Sequence, residues 1–159
     1  PLPRFRKLIV TGAQPESGGP LMLVGIDPGK ATGIAVWFGE ALHPWTGEYD
    51  EDGVYRFLDA TCGLIESAQV EFFTISQRTV KTAVDYHALH LIGSIKYAAH
   101  RCGYSVSFTN PADVKGKFPD AALRKAGLWH KSDHVRDATR HLLVPLIAQG
   151  LFDPKRLLL

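Results

Sequence analysis

The chain has 159 residues, 45% of them hydrophobic, enough to bury one substantial core and too few for a second full domain. It has no apolar run of the roughly 18 residues that a membrane helix needs, which points to a soluble, cytoplasmic protein with no membrane partner. Five Lys/Arg stand against ten Asp/Glu up to Gln77, and thirteen against six beyond it, where six of the seven histidines also lie, so the second half is basic and suits a phosphate-rich partner.

Residues 1–20 carry Pro1, Pro3, Pro15, Pro20 and Gly18-Gly19, a mixture that opposes regular structure and reads as a flexible leader or an appended remnant. Met22, the only methionine, offers an alternative start, and Arg4 to Val10 an alternative edge strand; residues 21–159 read as one domain. Leu21 to Ile26 is an apolar run ending at Asp27 and broken by Pro28-Gly29, as expected for a buried strand entering a tight turn. Ile34 to Phe38 follows as its hairpin partner. The spacing of Val54, Phe57, Leu58, Leu64, Ile65 and Ala68 predicts a helix over 54–68, and Val70 to Ile75 a strand. Cys62 and Cys102 lack metal-type spacing and read as two core thiols.

Leu89, Ile92, Ile95 and Ala99 predict a helix over 84–100, stopped by Gly103. Tyr104 to Phe108 reads as another strand, Asn110-Pro111 as the start of a loop, and Pro119 to Ala126 as a short helix ended by Gly127. Ser132 is a natural N-cap for a final helix from about Asp133 to Gln149, with Leu142, Leu143, Leu146 and Ile147 inward and a kink at Pro145. Strands alternating with helices indicate a mixed α/β sheet of about five strands flanked by helices on both faces.

Phosphodiester hydrolysis draws on clustered carboxylates that hold divalent ions, and magnesium prefers hard oxygen ligands. Asp27, ending an apolar strand, is a candidate ligand, because a carboxylate there is costly unless it binds metal or is well hydrogen-bonded; a turn aspartate is the alternative. In Lys131-Ser132-Asp133-His134-Val135-Arg136-Asp137-Ala138, helical spacing puts His134 and Asp137, or Asp133 and Asp137, on a common face. The alternative for Asp133 is an acidic first turn favouring the helix dipole.

Ile26-Asp27-Pro28-Gly29 with Gly33 after the first strand, His134-Val135-Arg136-Asp137-Ala138 opening the last helix, and Pro111-Ala112-Asp113-Val114-Lys115 between them together resemble the RuvC branch of the ribonuclease H-like nucleases, from about Met22 to Ile147. The resemblance implies a ribonuclease H-like fold, a single RuvC-like nuclease domain over 21–159, and an endonuclease that cuts Holliday junctions or other branched DNA with two Mg2+ ions, for which Mn2+ substitutes. Carried onto this chain, the catalytic and metal-binding residues are Asp27, His134 and Asp137, with Asp133 as the alternative to His134. The family's glutamate falls in Phe73 to Arg78, where the chain offers Gln77. An amide supplies no negative charge, so an engineered or natural variant with impaired cleavage is expected. Glu71 lies six residues before Gln77, roughly 20 Å along an extended strand, and is set aside.

Arg78, Lys81, Lys115, Lys117 and Lys131 are the expected DNA contacts, each with a solvated surface charge as its alternative, and Phe118 and Trp129 flank the same region. The resemblance further implies a C2 homodimer through the helix over 84–100, a four-way junction as partner, and a bacterial or bacteriophage setting. A non-catalytic junction-binding module, a nuclease for flaps or RNA-DNA hybrids, and a short actin-like ATPase are the competing readings.

Overall fold

The computed structural model describes residues 22–39, 41, 43–73 and 86–158. The expected leader, Gln77, Arg78 and Lys81 lie outside these residues. Five strands form one mixed sheet: β1 (Met22–Asp27), β2 (Thr32–Phe38), β3 (Trp45–Tyr49), β4 (Ile65–Glu71) and β5 (Ser105–Thr109), in the order β3-β2-β1-β4-β5. β1 runs antiparallel to β2 and parallel to β4; β4 is parallel to β5, and β2 antiparallel to β3. Every residue of β1 is buried, as a strand at the centre of a sheet covered on both faces must be.

Alternation along the strands sorts the core into two layers. Val24, Ile26, Ile34, Val36, Ala68 and Val70 face α1 (Glu51–Ala60) and α2 (His87–Cys102), where Phe57, Leu91 and Ile95 are fully buried. Leu23, Ala35 and Trp37 face the opposite layer, formed with α3 (Pro111–Lys117), α4 (Asp120–Lys125) and α5 (Asp133–Ala148), where Leu123 and Leu142 are fully buried. Burial of each such side chain contributes roughly 2 kcal/mol. The expected mixed sheet with helices on both faces is present. Among the described residues no helix is long and apolar enough to cross a membrane.

Five local features differ from what the sequence predicts. The helix over 54–68 ends at Ala60, and Ile65–Ala68 belong to β4. Gly63, at φ 79, turns the chain between the two. β4 therefore begins five residues before the expected Val70 and ends at Glu71. The segment read as a loop after Asn110 is α3, capped by the Asn110 side chain, which accepts from Ala112 N at 3.0 Å. β3 was not foreseen, because Trp45-Thr46-Gly47-Glu48-Tyr49 has no clean alternation; its pairing with β2 makes it a strand. Cys62 and Cys102 are not separate thiols: they form a disulfide across 40 residues, with Cα atoms 5.3 Å apart. The bond ties the turn after α1 to the end of α2, a proximity that arises only from the packing of the two helices.

Helix α5 lies unusually close to the sheet. A Cβ on Gly25 would stand 2.1 Å from the Ala138 carbonyl oxygen, and one on Gly33 would stand 1.9 Å from that of His134. Both clashes are with backbone, which cannot swing aside as a flexible side chain can, so only glycine fits under the helix at these two points. Gly25→Ala and Gly33→Ala are each expected to cost about 3 kcal/mol or more of folding stability, read by urea denaturation; an unchanged midpoint would contradict the close approach. Closing a 40-residue loop is worth roughly 4 kcal/mol in the chain-entropy account, so reduction of the full chain should lower its thermal midpoint.

Candidate metal centre

Three strand and helix ends meet at one edge of the sheet. Asp27 closes β1, and the turn that follows is fastened by Thr32, whose hydroxyl donates to the Gly29 carbonyl at 2.9 Å and accepts from Gly29 N at 3.3 Å. β4 is in parallel register with β1, Val70 lying opposite Ile26, so the next residue along each strand, Glu71 and Asp27, emerges side by side. Asp137 comes from the second turn of α5, whose start is fixed by the Ser132 hydroxyl accepting from Val135 N at 3.3 Å. One oxygen from each of Asp27, Glu71 and Asp137 lies within 4.8 Å of the others.

Packing three carboxylates this tightly is unfavourable unless cations balance them. Burial, followed by the charge of Glu71, pushes the Asp27 carboxyl up to about 7. Lys115 from α3 reaches Asp137 Oδ2 with its Nζ at 2.9 Å. Burial alone would depress the Lys115 ammonium, but the hydrogen bond and charge of Asp137, with Glu71 and Asp27 behind it, raise it instead. Arg140, 5% exposed, reaches Asp137 Oδ1 through Nη1 at 2.6 Å, and its Nε donates to the Phe118 carbonyl at 2.8 Å; its other nitrogen pairs with Asp120. His134 Nδ1 lies 2.8 Å from Asp27 Oδ2. Burial lowers the affinity of that ring for a proton, yet Asp27, Glu48 and Asp137 outweigh it and raise the His134 pKa.

The structure thus brings together Asp27, His134 and Asp137 of the sequence-based set. Between the two alternatives on α5, His134 contacts Asp27, whereas Asp133 is exposed and paired with Arg136 at 2.5 Å. The structure adds Glu71, contrary to the reading that sets it aside, while Gln77 lies outside the described residues. Glu71 was set aside on an assumed strand running to residue 75; with β4 ending at Glu71, this carboxylate is the one beside Asp27. The signal was available in Ala68-Gln69-Val70-Glu71, where an acid directly follows buried strand residues just as Asp27 follows Ile26. Arg140 and His141, in direct contact with Asp137 and Glu71 respectively, were missed as well, because arginine is seldom buried and a lone histidine in a helix carries no local signal of its partner.

Of the expected DNA contacts that are described, Lys117 and Lys131 are exposed, and Lys115, also exposed, turns its ammonium onto Asp137. Phe118 is core. Trp129 is 36% exposed and carries the Arg124 guanidinium 3.7 Å and that of Arg136 5.5 Å from its ring centre.

The donor set suits a hard divalent cation: carboxylate oxygens dominate, the imidazoles of His134 and His141 stand beside them, and no thiolate is present among the described residues. Asp27, Glu71 and Asp137 would hold it, with His134 as the further group at the same edge. No family model matches the sequence, and no curated protein does. Among solved structures, the chain is similar to RuvC of Thermus thermophilus in complex with a Holliday junction substrate, with a TM-score of 0.55 and 18% identity over 82% of this chain and 96% of that one. A second T. thermophilus RuvC structure gives a TM-score of 0.55 and 20% identity, over 81% and 96% of the two chains. The chain therefore has the RuvC fold, in agreement with the mixed sheet and its helices.

The raised Asp27 pKa fixes the sign of two pH effects. Unfolded, this carboxyl titrates near 3.8; folded, near 7. The stability it contributes is full below the lower value and is lost as pH rises through the upper one. The metal-free protein should accordingly lose thermal stability between pH 4 and 7 in a component that Asp27→Asn removes. Because a cation must displace that proton, Mn2+ affinity should climb by up to about tenfold per unit as pH approaches about 7 and level off above it, as titration calorimetry at several pH values would read.

Proposed function

We propose that the protein is a structure-specific DNA endonuclease that hydrolyses phosphodiesters in branched DNA, a four-way junction foremost, with divalent cations held by Asp27, Glu71 and Asp137. The convergence of these three carboxylates within 4.8 Å, on a RuvC-type fold, carries the reading. Two bound Mg2+ or Mn2+ ions would supply the charge that activates a water nucleophile and stabilises the departing oxygen.

The chain's own residues do the rest. Asp27, Glu71 and Asp137 create a pocket of negative charge that stays favourable only with cations in it. Lys115, exposed and paired with Asp137, is a cation placed to meet a phosphate that enters. Lys117 and Lys131 extend the positive charge on neighbouring segments, and Arg78 and Lys81, outside the described residues, are proposed as further DNA contacts; the signature is binding that weakens steeply with salt. With Glu71 supplying the third acid, Gln77 carries no catalytic burden in this reading, and the chain is an active nuclease rather than an impaired one. Paired cuts on a two-fold-symmetric junction require two active sites, so the working form is a C2 homodimer.

The test compares four-way junction, fork, flap, RNA-DNA hybrid and linear duplex with Mg2+ or Mn2+. Nicking of the junction is expected, and Asp27→Asn, Glu71→Gln and Asp137→Asn should each lower it by at least about a hundredfold. Gln77→Glu should leave the rate within about twofold. Full activity in Glu71→Gln, or a large gain in Gln77→Glu, would return the glutamate role to position 77. Junction binding without cleavage under any metal condition would make the protein a binding module instead.

A further inference from the structure

His141 is fully buried, on the sheet-facing side of α5, one helical turn beyond Asp137. Its Nε2 lies 3.1 Å from Glu71 Oε2, and its Nδ1 is buried without a hydrogen-bond partner among the described residues. An ionised carboxylate only accepts hydrogen bonds, so Nε2 is the donor of this pair, and Nδ1 is left buried without a partner among the described residues. An orphaned buried nitrogen is destabilising. A leucine or methionine would fill similar space between the helix and β4 without that defect, so packing does not account for an imidazole here.

The account lies in what Nε2 holds. Glu71 is the last residue of β4, and its side chain has three rotatable bonds, with 21% of its surface exposed. Unanchored, it would sample rotamers that carry its carboxylate away from Asp27 and Asp137. We propose that His141 is a positioning residue, which through Nε2–H fixes Glu71 Oε2 and presents the carboxylate to the cation site. A hydrogen-bonding partner behind a metal-binding group commonly controls affinity by orienting that group. The inference rests on the metal-centre reading above, and adds that one helix carries both Asp137 and the group that orients the acid contributed by β4.

The experiment measures Mn2+ affinity by the electron paramagnetic resonance signal of free Mn2+, without DNA, for the full chain and its variants. His141→Leu is expected to weaken binding by about tenfold. His141→Gln, whose amide nitrogen reaches the place of Nε2, should stay within about threefold of the parent. His141→Asn, which keeps an amide but falls short of Glu71, should behave like the leucine variant and serves if that one does not fold. In a Glu71→Gln background, His141→Leu should have little further effect. The metal-free thermal midpoint of His141→Leu should equal or exceed the parent's, a result that a purely structural histidine would not give. Unchanged affinity in both His141→Leu and His141→Asn, or an equal loss with and without Glu71, overturns the positioning role while leaving the metal centre intact. Absence of any Mn2+ binding that Asp27→Asn abolishes overturns both.

Discussion

The backbone of α5 rests directly on β1 and β2 because Gly25 and Gly33 present no Cβ where the Ala138 and His134 carbonyls descend. The approach sets the depth at which the helix lies, and so how far its side chains project over the edge of the sheet. A helix seated on larger side chains would stand off by the thickness of a methyl group or more, and Asp137 would no longer share a corner with Asp27. Gly33 also pairs with Asp27 across the hairpin, so one residue both closes the turn that delivers the first carboxylate and admits the helix that delivers the last.

Once the three carboxylates are gathered, electrostatics governs what surrounds them. Each has a cationic or hydrogen-bonding partner, and α5 supplies one to all three: His134 to Asp27, Arg140 to Asp137 and His141 to Glu71. Helical periodicity explains the economy. His134, Asp137 and His141 follow at steps of three and four, so they line one face, while Arg140 turns towards Asp120 and the Phe118 carbonyl and fastens α4 and its approach to the same helix. The Asp27 carboxyl is nonetheless held near 7, first by its burial and then by the charge of Glu71, which the neighbouring His134 offsets only in part. Such a residual imbalance is what gives an acidic cluster its affinity for divalent cations.

The opposite face of the sheet is organised differently. There α1 and α2 pack through apolar side chains and are joined by the Cys62–Cys102 disulfide, and β4, which carries Glu71, lies within the loop that this bond closes. The covalent tie thus sits on the side away from the carboxylates, while the polar network occupies the side where α5 docks.

Much of the architecture was legible in the chain itself. The apolar run ending at Asp27, the Pro-Gly turn, the Ser132 cap and the spacing of His134 and Asp137 are local signals, because turn chemistry and helical periodicity act within a few residues; they made two of the three carboxylates candidates, and the family resemblance assigned them. Glu71 was not legible, since its place depends on where β4 ends, and that is set by pairing with β1 and β5 and by the turn at Gly63 rather than by the apolar pattern alone. The disulfide, the strand character of β3 and the buried contacts of Arg140 and His141 were likewise decided by tertiary packing, because each joins residues distant in the chain whose separation in space no local rule encodes.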